Sequence, residues 1–196
     1  MDVVAAWGVI EEWLAADAPS IRKSLRPPGD DARVENLQKK LKLPLPPDFI
    51  ASVRVHDGQK SDAEHGPFPA PPDELGSVPS YRLLPLTDSG REWAMMKGLH
   101  DAGEFEGRKP KPARGLQHVW WSPAWVPIAD NGGGDYFCLD LAPGQGGAVG
   151  QVILFGHEGT DRRRVAKSLA EWLGKLARGF AAGQYVLDED DGPREA

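Results

Sequence analysis

The residues of this sequence that could do chemistry are few and scattered. Gly132-Gly133-Gly134 has the composition of a phosphate-cradling loop. Such a loop closes on Gly-Lys-Ser/Thr and runs into a helix, whereas here Asp135 and a strand-like apolar run follow. Gly144-Gln145-Gly146 lies between two strand-like runs, so it fails the dinucleotide fingerprint as well. Asp130, Asn131 and Asp135 are the residue types of a calcium loop without its spacing or closing Glu. His157-Glu158 lacks the second His of a zinc-protease helix. The histidines at 56, 65, 100, 118 and 157 show no paired ligand spacing. Cys138 sits in mid-strand among aromatic residues and reads as an inert, partly buried thiol. No Ser stands in a strand–turn–helix elbow. A hydrolase built on Asp57 with His56 or His157 is the enzymatic alternative, and no pairing in the sequence supports it. The reading is therefore of a chain without catalytic, cofactor-binding or metal-ligating residues.

What remains is acidic. Asp57, Asp130, Asp135, Asp140 and Glu158 fall at element ends or in turns, where several can share one rim of a sheet. A rim of that kind mimics nucleic-acid charge and fits the basic cleft of a nuclease. The competing role is local, with each carboxylate capping a helix or turn by accepting backbone N–H bonds. Asp57, Asp130, Asp135 and Glu158 are the candidate partner-binding residues. The loops 59–80 and 101–117 and the turn 130–135 are the candidate contact regions.

These residues must be positioned by a fold of ordinary composition. The 196 residues predict one domain, and one cysteine rules out an internal disulfide and suits a reducing cytosol. No apolar run approaches the roughly 18 residues of a membrane span, and the acidic N-terminus does not read as a secretory signal. A net charge of −6 argues against binding a nucleic-acid backbone and favours a basic protein partner.

Trp125–Ile128, Tyr136–Leu141 and Gln151–Phe155 are short apolar runs separated by glycine-rich gaps, and read as a three-stranded antiparallel meander. Alternation along the middle strand puts Phe137, Leu139 and Leu141 on an apolar face that helices must cover, and Tyr136, Cys138 and Asp140 on the other. Helices are predicted over 2–16, from Asp30 or Asp31 to Leu41, and from Pro47 to about Val55. Another follows a capping box at Ser89 and Glu92, and a last one is capped by Asp161. Gly58 is expected to close the third helix in a left-handed conformation. Residues 1–25 form a helix packed on the core, 26–185 the main domain, and 186–196 an acidic tail expected to lack order.

In this order the pieces resemble the SMI1/KNR4 family of the SUKH superfamily. The resemblance rests on Leu45-Pro46-Pro47-Asp48-Phe49 with His56-Asp57-Gly58, on Leu83-Leu84-Pro85-Leu86 with Trp93, and on Trp125-Val126-Pro127-Ile128-Ala129. It continues through Gly132-Gly133-Gly134-Asp135, Leu139-Asp140-Leu141, Val165-Ala166-Lys167-Ser168-Leu169 and Glu171-Trp172-Leu173, and covers residues 30–182. The stretches 59–80 and 101–117 and the N-terminal helix depart from the pattern. The resemblance implies an α+β fold, a mostly antiparallel sheet with helices packed on one face, and no enzymatic activity. It also implies a cytoplasmic binding protein. The first reading is a bacterial immunity protein that neutralises a toxin domain, such as a basic nuclease. The alternative is an intracellular scaffold or regulator without a toxin partner.

Overall fold

The computed structural model describes residues 1–71 and 79–196. Helix α1 (Val3–Asp17) is capped by the Asp2 carboxylate, which accepts the Ala5 N–H at 2.8 Å. Its inner face, Val3, Trp7, Ile10 and Leu14, is buried. Helix α2 (Pro19–Ser24) opens on a proline, whose missing N–H is no loss in a first turn. Helix α3 (Asp31–Leu41) is capped by Asp30 and stopped by Lys42 in a left-handed conformation, φ 57°. Helix α4 (Pro47–Val53) again starts on proline.

Strand β1 (Arg82–Leu83) leads into α5 (Leu86–Asp101), then come β2 (Lys111–Pro112), β3 (Trp125–Asp130), β4 (Tyr136–Asp140), β5 (Gln151–Phe155) and β6 (Asp161–Ala166). Helix α6 (Leu169–Ala181) and a hairpin of β7 (Tyr185–Asp188) and β8 (Gly192–Glu195) complete the chain. The main sheet runs β1-β3-β4-β5-β6-β2, antiparallel at every pairing except β2 with β6. The α+β class and the meander β3-β4-β5 are as the sequence predicts.

Four expectations are corrected. Helix α5 starts at Leu86 rather than at a Ser89 cap, because Asp57, distant in sequence, accepts the Leu86 N–H at 2.9 Å and does the capping. Ser89 is buried. Asp161 opens a strand and not the last helix. The cap of α6 is Ser168, whose hydroxyl accepts the Glu171 N–H at 3.1 Å. Gly58 is left-handed, φ 78°, but lies beyond the end of α4. There its backbone passes so close to Pro85 that a Cβ would stand 2.2 Å from the proline nitrogen. The acidic tail is ordered by pairing: Tyr185–Asp188 lies against Gly192–Glu195, and Asp188 takes Arg194 at 2.9 Å.

Both faces of the sheet are covered. On the Phe137 face, Trp172 of α6 packs 4.6 Å from Phe137 and 4.7 Å from Phe68, and Tyr81 lies 4.5 Å from Phe137. Helices α1 and α4 pack against α6 from outside, with Trp13 of α1 at 4.4 Å from Phe180. Phe68 belongs to the predicted surface loop 59–80; residues 72–78 of that loop lie outside the described residues, and its described part drives Phe68 into the core.

The Tyr136 face meets α5 through Glu92 and is otherwise closed by the connection 102–124. Trp120 and Trp121 are buried, and the indole of Trp93 donates to the Pro123 carbonyl at 2.8 Å. Leu116 is buried and Phe105 lies 6.5 Å from Trp121, so the 101–117 stretch takes part in closing this face rather than forming only a free loop.

Candidate protein-binding surface

Burial separates the four predicted carboxylates. Asp57 is 1% exposed. One oxygen caps α5 and the other takes the Arg33 guanidinium, so it presents nothing to a partner. Asp130 pairs with both Arg82 nitrogens at 3.0 and 3.1 Å. Burial pushes its carboxyl up, Arg82 pulls it down, and the nearby charges of Glu92 and Asp88 push it up again.

Asp135 holds the β3–β4 turn. It accepts from the Asn131 amide at 3.0 Å and from the His157 backbone at 2.8 Å, and its carboxylate lies 2.9 Å from the His157 ring nitrogen Nδ1. Gly134, φ 97°, lets the turn close beside that ring. Glu158 alone of the four has a freely exposed side chain, at 88%. Asp135, His157 and Glu158 therefore meet at one corner with Asp130 behind them, while Asp57 lies elsewhere and inside.

The histidine candidates have structural partners too. His56 sets one ring nitrogen against the Arg26 carbonyl at 2.9 Å and the other against Glu11 at 3.1 Å, edge-on to Trp7. Neither nitrogen bonds to Asp57. Cys138 is fully buried, and burial pushes its thiol up.

A concavity also lies where, apart from the 59–80 loop, the sequence analysis names no contact region. Between the edge of β6 and helix α6 lies a cleft of about 290 Å³. Its floor is apolar: Phe137, Leu154, Val165, Trp172 and Leu176. Pro69–Pro71 forms one wall, and Tyr185 with Glu195 of the terminal hairpin forms another. Arg163, Arg164 and Lys175 stand among the lining residues. Every floor residue fits a core pattern when read along the chain, and only the fold shows that the core is open here. The one available signal was the Arg162-Arg163-Arg164 run directly before an apolar pair.

The SMI1 / KNR4 family (SUKH-1) pattern matches residues 28–175. The chain belongs to this family. Its relatives include a glucan synthesis regulatory protein of Neurospora crassa, 27% identical over 225 residues, covering 96% of this chain and 40% of the relative. A cell wall biosynthesis/cell cycle regulator of Schizosaccharomyces pombe is 28% identical over 198 residues, covering 96% of this chain and 38% of that protein. The cell wall assembly regulator SMI1 of Saccharomyces cerevisiae is 24% identical over 216 residues, covering 97% and 43%. The chain thus spans about two fifths of the length of the curated relatives it matches.

These relatives overturn the immunity reading, with its toxin and nuclease partner, because they are named as fungal regulators of the cell wall. The physical reason for the error is plain. The residues that carried the resemblance, such as Phe49, Trp93, Leu139 and Trp172, are buried, and the rest are turn and cap residues. They specify the fold and carry no mark of the partner.

Proposed function

We propose that this chain is a non-catalytic regulatory or scaffolding domain that acts in the cytosol by holding a protein partner. Similarity to named regulators along 96% of the chain carries the reading. The geometry agrees with it. The predicted carboxylates and histidines serve caps, turns and ion pairs, while an apolar cleft stands open at the surface. The exposed Glu158, backed by Asp135 and Asp130, contributes orientation and on-rate more than affinity, as rim charges do. Described residues contain no helix long and apolar enough to cross a membrane.

The test respects the difference in length. This chain replaces the matching segment of the Schizosaccharomyces pombe regulator, and growth is scored in medium containing a wall-digesting glucanase. The expected result is growth like that of the unaltered regulator. A chimaera made at normal level, yet as sensitive as cells lacking the regulator, overturns the reading.

A further inference from the structure

We propose that the surface where the connection 107–118 meets the β4–β5 loop docks a short acidic segment of a protein partner, held by Arg108, Arg114 and Arg164. The inference rests on the protein-binding reading above and supplies the chemistry of the partner. The sequence carries 29 Asp and Glu against 23 Lys and Arg. Yet no acid stands between Glu106 and Asp130, nor between Asp140 and Glu158. The fold brings these two acid-free stretches together. Gly144 donates its N–H to the Gly115 carbonyl at 3.1 Å, and the Gln117 amide donates to the Ala142 carbonyl.

The cations converge there. Arg164 projects to the same side of the sheet as Arg162, away from the cleft, and its guanidinium donates to the Gly146 carbonyl at 3.3 Å. Arg114 lies against the same glycine, its Nε 3.4 Å from where a Cβ on Gly146 would stand. Arg108 lies over the Trp120 ring at 4.9 Å, and buried Arg162 lies over that ring at 4.4 Å. Two residues along β6 separate Arg162 from Arg164, a step of about 7 Å, so one short segment can reach all three exposed guanidinium groups.

This charge is not compensated. Among the described residues, Arg108, Arg114 and Arg164 have no carboxylate within ion-pair distance. Glu106, close to Arg108 in sequence, turns back over Gly103 instead. Behind them Arg162 adds a buried charge, and its Nη2 has no partner among the described residues. A ring and a backbone carbonyl hold guanidinium groups in place and leave further N–H groups for a carboxylate, which they grip with two parallel bonds. Side chains held in advance lower the ordering cost of binding.

The edge strand beside this surface recognises nothing through its backbone. Lys111 and Ala113 spend their N–H groups on β6, at 2.8 Å each, and Pro112 between them has none to turn outward. Lysines and prolines at an edge guard it against strand pairing, which accounts for Lys109–Pro112 and leaves the three arginines unexplained. Recognition is therefore by side-chain charge. A nucleic acid would run on past the patch over a chain of net charge −6, which repels it, whereas a short acidic segment ends where the patch ends.

The test titrates the full isotope-labelled chain with three synthetic peptides of equal length. One alternates Glu with Ser, one has Gln in place of Glu, and one has Lys. The expected result is that only the Glu peptide moves the Trp120 indole and the Arg114 and Gly146 amides saturably, and that added salt weakens it. Arg108→Gln, Arg114→Gln and Arg164→Gln together weaken it about tenfold or more. Lys39→Gln, Lys40→Gln and Lys42→Gln together remove the same charge from α3 and leave the affinity unchanged. Arg114→Gln alone, at an exposed side chain, weakens binding about twofold and keeps the test open should the triple variant unfold.

Equal weakening by the two triple variants, equal binding of the Gln or Lys peptide, shifts mapping elsewhere, or no binding by any peptide overturns the proposal. So does tighter binding at this surface by a thymidine oligonucleotide or by vesicles of phosphatidylserine and phosphatidylcholine. Resonances here that move with protein concentration alone assign the surface to a second copy, and also overturn it. The two readings fail separately. If the titration fails while the chimaera supports growth, this surface falls and the regulatory reading stands. If the chimaera fails while the titration succeeds, the regulatory reading falls and the surface stands.

Discussion

On the α6 side of the sheet, Phe137, Phe68, Tyr81 and Trp172 pack ring against ring, and the layer ends in an open cleft. On the other side, the connection 102–124 closes over charged and polar groups. Arg162 is fully buried between the rings of Trp120 and Phe155, at 4.4 and 4.5 Å. It donates to the carbonyls of Trp120, Gly159 and Asp161, and burial lowers its guanidinium pKa to about 10. Asp140, equally buried, accepts from the Gln151 amide at 2.8 Å and the Ala142 N–H at 3.1 Å.

The apolar face gains from area removed from water, a non-directional effect that tolerates leftover space. The polar face depends on directional hydrogen bonds, so removing one partner there strands a buried group. Leftover space is therefore expected on the first side, where the cleft is found.

The largest effect that would break this contrast is expected at Trp172. Trp172→Ala removes the ring that joins Phe68 and Phe137, and should destabilise the domain by about 3–5 kcal/mol in urea unfolding. A loss below about 2 kcal/mol would mean that this face is not the main apolar core.

Arg162→Met keeps much of the volume and removes the buried charge, but it strands three carbonyls. Each unmet group costs about 1–3 kcal/mol, and relief of charge burial offsets part of that. A net loss of about 1–3 kcal/mol is expected, smaller than at Trp172. A gain in stability would show that the polar face is held together by its apolar parts.

A third effect is read as a slope with pH. Burial holds the folded Asp140 carboxyl above its ordinary value. As pH rises from about 4, the unfolded carboxyl ionises before the folded one. The unfolded state then binds fewer protons, and stability is lost up to the folded pKa. The stability of the native chain minus that of Asp140→Asn should therefore fall as pH rises through this window, then level off. Urea midpoints across pH measure it, and a difference that rises with pH would make Asp140 a stabilising carboxylate.

The smallest effect concerns Cys138, whose thiol is fully buried on the Tyr136 face of the sheet and is pushed up by burial. Labelling by a thiol reagent at mildly alkaline pH should proceed only as fast as the domain unfolds. Rapid labelling would reveal an opening on one side of the sheet.

The same contrast explains what could be read from the chain alone. The meander, α3, α4 and the apolar stripe of α6 follow from periodicity and turn residues, which are local signals. Strand β6 was missed because Asp161-Arg162-Arg163-Arg164 looks like the polar start of a helix. Only packing reveals that Arg162 is an inward-facing residue. The start of α5 was misplaced because its cap comes from Asp57, 29 residues away. The tail looked unstructured by charge, yet its strands pair with each other, and Asp191 gives its carbonyl to the Ser80 N–H at 2.7 Å.

Of the candidate surface, the acidic corner was legible through its turn residues, Asp57 was misjudged, and the cleft was invisible. Its lining comes from seven separate stretches of chain whose apolar members are indistinguishable from closed core.

The packing of α1 on α6 has a consequence for how the domain is made. Trp13 finds Phe180, and the buried face of α1 finds its main partner, only after α6 has left the ribosome. At about 5–20 residues per second, the first helix waits on the order of ten seconds or longer with its apolar face uncovered. Until then it is a target for chaperones, and a chain broken off before α6 has no way to hide it. Emergence of α6 and closure of this face are thus one event, which leaves products terminated before α6 open to degradation.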